Sequence, residues 1–172
     1  MALVLAACGG SGSSLGRGSR TTTSATSASD QGANANVETC LPTPVHRGAP
    51  PAWTATAWSD SSPGFTVPYT LASRDAAAAF FFAGALRAGH PTDPANKVLW
   101  VVRFPRDGHP LNITARLSTE PSNVVRISRP ADSSPGEIYP SYVDLPKPGC
   151  WRLALAWGTH RASVDVQVQP PS

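Results

Sequence analysis

The side chains in this sequence with any claim to chemistry are four histidines, three cysteines and two carboxylates near one strand-like run. His46, His90, His109 and His160 all stand in settings rich in Pro, Gly and Arg. None of them repeats at a metal-ligand spacing such as HxxxH, and Cys8, Cys40 and Cys150 form no CxxC. The one Met is Met1, which leaves soft-metal carriage without ligands. No metal and no cofactor is therefore implied. A Ser/His/Asp mechanism needs a nucleophile on a strained elbow, and the chain has no GxSxG. Glu137 and Asp144 could be imagined as an acid/base pair, but carboxylates beside a strand more often lie solvated on a surface. No GxGxxG follows a strand and opens a helix. The triplet Asn112-Ile113-Thr114 fits an N-glycosylation acceptor, yet Asn112 reads more simply as the wet face of a strand. The expectation is a protein that is not an enzyme, with no catalytic residue assigned.

Charge narrows the partners. The net charge of +3 is spread along the chain with no basic block, so nucleic acid is not expected as a partner. Twelve of the 14 basic residues are Arg and Ala is abundant, a bias that a GC-rich genome produces without any function.

Cys8 has a distinctive setting. Leu5-Ala6-Ala7-Cys8 places an apolar residue and two small ones before a cysteine, and Gly and Ser follow. This resembles the lipobox of bacterial lipoproteins. The resemblance implies cleavage before Cys8, a lipid on its thiol, and anchorage to the membrane outside the cytoplasm. Residues 1–7 are then what is left of a signal peptide. They carry no positive n-region and barely reach the usual apolar length of about 7–15 residues. The expectation is a start codon assigned too far downstream, with the leader continuing before Met1. Residues 8–36 are Gly, Ser, Thr and Ala with little to bury, which predicts a disordered tether. Acyl chains that bury CH₂ groups at about 0.8 kcal/mol each make such an anchor stable. No other stretch approaches the roughly 18 apolar residues of a membrane span.

Residues 37–172 remain as one domain large enough to bury a core. The 18 prolines favour short strands joined by fixed loops. If Cys8 carries lipid, Cys40 and Cys150 are left as an even pair in an oxidising compartment, which favours a bridge. Two buried thiols are the alternative.

The C-terminal third reads most clearly. Trp151, Leu153, Leu155 and Trp157 alternate with Arg152, Ala154 and Ala156. Ala162, Val164, Val166 and Val168 alternate with Ser163, Asp165, Gln167 and Gln169. Period two marks half-buried strands, and the short Gly-Thr-His-Arg between them predicts an antiparallel hairpin. Leu111, Ile113, Ala115 and Leu117 alternate in the same way. The run 97–104 is apolar on both sides, with Val98, Trp100, Val102 and Phe104 on one and Leu99 and Val101 on the other. This predicts a central strand. Residues 123–127 and 137–145 are weaker candidates, the second interrupted by Pro140. The Ala- and Phe-rich run 77–86 is ambiguous: its alanines favour a helix, its three phenylalanines and its neighbours a buried strand. It is taken as a strand.

The stretch "YVDLPKPGCWRLALAW" carries a second resemblance. Leu145, a proline-bearing loop, Gly149, Trp151 and Leu153 are similar to the corner before the last strands of immunoglobulin-like domains, in particular fibronectin-type and bacterial forms. In that family the aromatic is usually Tyr, whose hydroxyl bonds back to the corner. Here the residue is Trp151, so that bond would have to come from its indole N–H or be absent. The family's inter-sheet cysteine would fall at Leu153, so this is not an antibody-type domain. The phrases "SPGEIYPS" and "PGCWR" are also similar to those of uncharacterised secreted bacterial lipoproteins. The resemblance implies an all-β, immunoglobulin-like β-sandwich of about seven to nine antiparallel strands.

Trp53 and Trp58 lie among prolines outside any periodic run. They either cover the sandwich or bind a small ligand or glycan as exposed aromatics. The reading is a lipid-anchored, extracytoplasmic envelope protein with a structural or protein-interaction role. The alternative is a ligand- or glycan-binding lipoprotein that uses Trp53 and Trp58. The sequence does not set an oligomeric state.

Overall fold

The structure, a computed structural model, describes residues 40–57 and 67–171. The lipobox at Cys8, the tether over 8–36 and Trp58 lie outside the described residues. Nine strands are present: β1 (Tyr69–Leu71), β2 (Ala77–Phe81), β3 (Leu86–Arg87), β4 (Lys97–Val102), β5 (Leu111–Leu117), β6 (Glu120–Arg129), β7 (Ile138–Tyr142), β8 (Gly149–Trp157) and β9 (His160–Gln169). They form two sheets. Sheet A has the order β1-β2-β4-β7, and sheet B the order β3-β9-β8-β5-β6. Short 3₁₀ turns lie at Ala52–Ala57 before β1, at Ser73–Asp75 between β1 and β2, and at Ala131–Ser133 between β6 and β7.

The strand periodicities become the core. Inward residues of sheet A (Ala77, Ala79, Phe81, Val98, Trp100, Val102, Tyr139) join inward residues of sheet B (Leu111, Ile113, Ala115, Leu117, Trp151, Leu153, Leu155, Trp157, Val164, Val166, Val168) in one buried cluster. Strand β4 is buried on both sides. Its other face, Leu99 and Val101, forms a second cluster with Tyr69, Ala78 and Phe80 on the outside of sheet A. The β8–β9 hairpin pairs Trp157 with His160, so its loop is Gly158-Thr159. Gly158 has φ +49°, and a Cβ there would meet the His109 ring at 3.0 Å. Both facts require glycine. Pro140 is tolerated because β7 is an edge of sheet A, where a missing N–H need not break a ladder.

The stretch from Leu145 to Trp151 is anchored in the core. Trp151 and Leu145 are fully buried. The Trp151 indole N–H donates to the Lys147 carbonyl at 3.0 Å. Gly149 has φ +128°, and its Cα lies so close to Leu117 that a Cβ would approach the Leu117 Cδ1 at 3.0 Å. The other large core aromatics are satisfied in the same way. Trp100 donates to Ser141 Oγ at 2.9 Å, Trp157 to the Phe104 carbonyl at 3.3 Å, and Tyr139 to the His109 carbonyl at 2.8 Å.

Three expectations need correction. The run 77–86 is not one strand. It is β2, a turn over residues 82–85 containing Gly84 at φ +77°, and the start of β3 in the other sheet. Chain reversal at the glycine lets one apolar run serve both layers. The strands are not all antiparallel, because β3 runs parallel to β9. Phe104 falls beyond the end of β4, is 40 % exposed, and stacks on His160 at 5.0 Å.

The disulfide Cys40–Cys150 is present, with a sequence separation of 110. It starts a strap along the open side between the sheets. Thr43 bonds the backbone of Asp165 in β9 through both its N–H (2.8 Å) and its hydroxyl (3.0 Å). The Pro44 carbonyl accepts from the Thr70 hydroxyl at 2.9 Å, and His46 pairs with Tyr69 in β1 by two backbone bonds of 2.7 and 3.0 Å. The strap thus ties an edge of each sheet to the other and satisfies donors that β3 is too short to reach.

Two outcomes are expected in unfolding experiments. Trp151→Ala should destabilise the domain by about 3–5 kcal/mol, and Trp151→Phe, which keeps most volume but orphans the Lys147 carbonyl, by about 1–3 kcal/mol. An unchanged melting temperature for either would remove Trp151 from its core role. Replacing Cys40 and Cys150 together by Ser should cost about 2–5 kcal/mol, chiefly through a looser unfolded chain. Equal denaturation midpoints for the two forms would contradict this.

Candidate interaction face

The two outer faces differ. Outside sheet A, the turn Ala52–Ala57 lays Trp53 on the second cluster, so Trp53 is half-buried against the sheet. This is the covering role open to it in the sequence. Outside sheet B, alternation turns Asn112, Thr114 and Arg116 of β5, Val124, Arg126 and Ser128 of β6, Ala154 and Ala156 of β8, and Arg161 and Ser163 of β9 away from the core. Asn112, Arg116, Arg126, Ser128, Ala154 and Arg161 are exposed. Small residues in the middle strands leave the face flat, and long cations stand around them.

Charge on this face is one-sided. Arg152 and Asp165 sit opposite each other in the β8–β9 ladder and form a two-point pair, Nε–Oδ1 at 2.8 Å and Nη2–Oδ2 at 2.9 Å. The hydrogen bond to Asp165 holds the Arg152 guanidinium above its ordinary pKa, while desolvation opposes the rise. Asp165 is therefore spent on Arg152 and on the strap. Arg116, Arg126 and Arg161 face no carboxylate partner among the described residues. Their guanidinium groups reach only main-chain carbonyls where they bond at all: Arg116 that of Pro121 at 3.5 Å, Arg161 those of Gly158 (2.9 Å) and His160 (2.6 Å).

The other chemistry-bearing residues are dispersed. Glu137 and Asp144 do not form a pair. Glu137 accepts from the Arg106 N–H at 2.8 Å at one end of β7. Asp144, past the other end, holds His90 Nδ1 at 2.8 Å and accepts from the buried Asn96 amide at 3.2 Å. His46 stacks on Tyr69 at 5.3 Å, His109 lends its carbonyl to Tyr139, and His160 opens β9 beside Phe104. No group of three or more His, Cys, Asp or Glu among the described residues could hold a metal ion. No helix among them is long and apolar enough to cross a membrane. Sequence reasoning did not single out the Arg152–Asp165 pair, although the hairpin's two-residue loop and alternation were enough to place both on one wet face.

No protein-family model, curated protein or solved structure matches this chain.

One titration is built into the core beside these groups. Burial pushes the Tyr139 hydroxyl above its usual pKa, the Arg106 guanidinium 5.2 Å from its ring pulls it back, and Glu137 adds to the rise. The folded chain then keeps a proton that the unfolded chain releases near pH 10. The stability this group contributes is whole below about pH 10 and is lost as pH climbs through the raised value. Tyr139→Phe should be less stable than wild type at neutral pH but lose less stability in alkali. Parallel urea midpoints for the two proteins across that range would refute the assignment.

Proposed function

We propose that this chain is a lipid-anchored, extracytoplasmic interaction module of the bacterial cell envelope. It is built on an immunoglobulin-like sandwich and presents the outer face of sheet B to an acidic protein surface. The observation that carries the interaction role is that flat face, with Arg116, Arg126 and Arg161 facing no carboxylate partner among the described residues. Such a patch speeds encounter with an anionic partner and selects against cationic ones. The envelope location is supported by the lipobox-like residues 5–8 and by the Cys40–Cys150 bridge, which fits an oxidising compartment and leaves Cys8 as the odd thiol. The immunoglobulin-like assignment is supported by connectivity. The first long apolar run divides between the two sheets and its second part runs parallel to the last strand, while β9-β8-β5-β6 faces β2-β4-β7. The indole bond at the corner supports it further.

Location and role are tested separately. Labelled palmitate should mark the protein, and Cys8→Ser should abolish the label and release the chain from membranes. A labelled Cys8→Ser protein would overturn the anchor. A photo-crosslinking residue at Ala154 should capture a discrete partner in living cells, and one at Pro140 should not. Exchanging Arg116, Arg126 and Arg161 for Ser should suppress the Ala154 adduct at least several-fold. An unchanged adduct, or none in wild type, would remove this face from the proposal.

A further inference from the structure

The four sheet edges differ. The edge of sheet A at β1 is closed by the strap, where His46 pairs with Tyr69. The edge at β7 has five residues with Pro140 at its centre, which removes a donor. The edge of sheet B at β3 has two residues. The fourth edge, β6, has ten residues and only β5 beside it among the described residues. Its one proline, Pro121, stands second, so Ser122 to Arg129 keep every main-chain donor. In an antiparallel ladder alternate residues turn their main-chain groups away from the neighbour, and along β6 these face outward. Side chains give this edge a definite character. Val125 and Ile127 lie on the core side, opposite Ala115 and Ile113, and are only partly buried. On the wet side Arg126 is exposed, and the Arg116 guanidinium reaches across from β5 to 3.5 Å from the Pro121 carbonyl. Glu120, the one carboxylate of β6, is held by Lys147 at 2.6 and 2.9 Å. Arg129 ends the strand, and its Nε is buried with no acceptor among the described residues. The edge is therefore apolar toward the core and cationic toward water. Pairing with a second copy would gather the Arg116 and Arg126 side chains of both chains on one face with no carboxylate between them, so the edge disfavours its own kind.

We propose that β6 accepts an added strand from the acidic partner, an extended segment in which acidic and apolar residues alternate. This rests on the reading of sheet B as a face for an anionic protein and names the form that the partner takes there. Main-chain groups of the segment complete the ladder and supply affinity, while its alternate side chains supply the choice. Its apolar residues continue the core row beyond Val125 and Ile127. Its carboxylates fall on the wet face, where opposed side chains of neighbouring strands start about 4.5–5.5 Å apart. There Arg126, with Arg116 behind it, gives charge-assisted contacts. A basic segment meets repulsion at the same positions, and a segment that cannot pair as a strand gains nothing from the edge.

The test titrates the purified full chain with a fluorescein-labelled octapeptide in which Glu and Val alternate. One control peptide carries Lys for Glu, and another keeps the sequence but is N-methylated at every residue, so that it cannot pair as a strand. The Glu peptide should bind, and each control at least tenfold more weakly. Binding should slow hydrogen exchange of alternate amides within residues 122–129. Arg126→Glu should reverse the order of the Glu and Lys peptides. Arg126 is exposed, so the melting temperature of that variant should stay close to wild type, and the peptide series on the unsubstituted chain is immune to any folding defect. Equal binding of the N-methylated peptide overturns strand addition and leaves the charged face standing. So do amide shifts centred on Ala154 and Arg161 with exchange in β6 unchanged. No binding of the Glu peptide, or a dimer of the unsubstituted chain paired through β6, also overturns it, and the Ala154 crosslink then judges the face by itself.

Discussion

A buried tryptophan or tyrosine brings one polar atom into an apolar layer, and that atom must find a partner. Trp100, Trp151, Trp157 and Tyr139 are the largest side chains of this core; Trp100 solves the problem within its own sheet, and the other three solve it at the margin of the layer. Trp151 reaches the corner loop, Trp157 the segment after β4, Tyr139 the turn before β5, and Trp100 a serine on the adjacent strand. Loops that would otherwise drift over the ends of the sandwich are thereby fixed by the interior. The Gly149 corner and the Gly158 turn follow from the same demand, since both bring main chain close enough to leave no room for a Cβ.

The two sheets then meet water differently. Sheet A carries apolar residues on both faces and needs a cover, which the turn holding Trp53 supplies for part of its area. Sheet B alternates cleanly and needs none, so its outer face is free to carry charge. The strap from Cys40 to His46 crosses from one to the other. It lends Thr43 to β9 and His46 to β1, closing edges that β1 and β3, of three and two residues, could not protect alone.

What was legible in the sequence was whatever depended on period two within one run. The alternation of 151–157, 162–168 and 111–117 places each residue on its observed face, and the two-sided run 97–102 lies inside its sheet. The bridge was legible from cysteine parity. What was not legible depended on chain reversals and on neighbours far apart in sequence. The division of 77–87 between sheets turns on the conformation at Gly84, not on hydrophobicity. Phe104 continues the periodicity of β4, yet the strand stops at Val102 and leaves it outside. Trp53 is apolar enough to bind or to cover, and its packing on the second cluster outside sheet A joins residues too far apart in sequence for any local pattern to record.

The bridge also redirects mechanical load. A pull on the chain before Cys40, resisted at the C-terminus, passes through the sulfur atoms straight into Cys150 of β8. The residues between the two cysteines lie off that route and cannot be drawn out. Only the segment from β8 onward can lengthen, and β8 and β9 are held there by their full ladder of paired residues. Under tension the domain therefore behaves as a short, stiff link, with most of its chain sheltered from the force that crosses it.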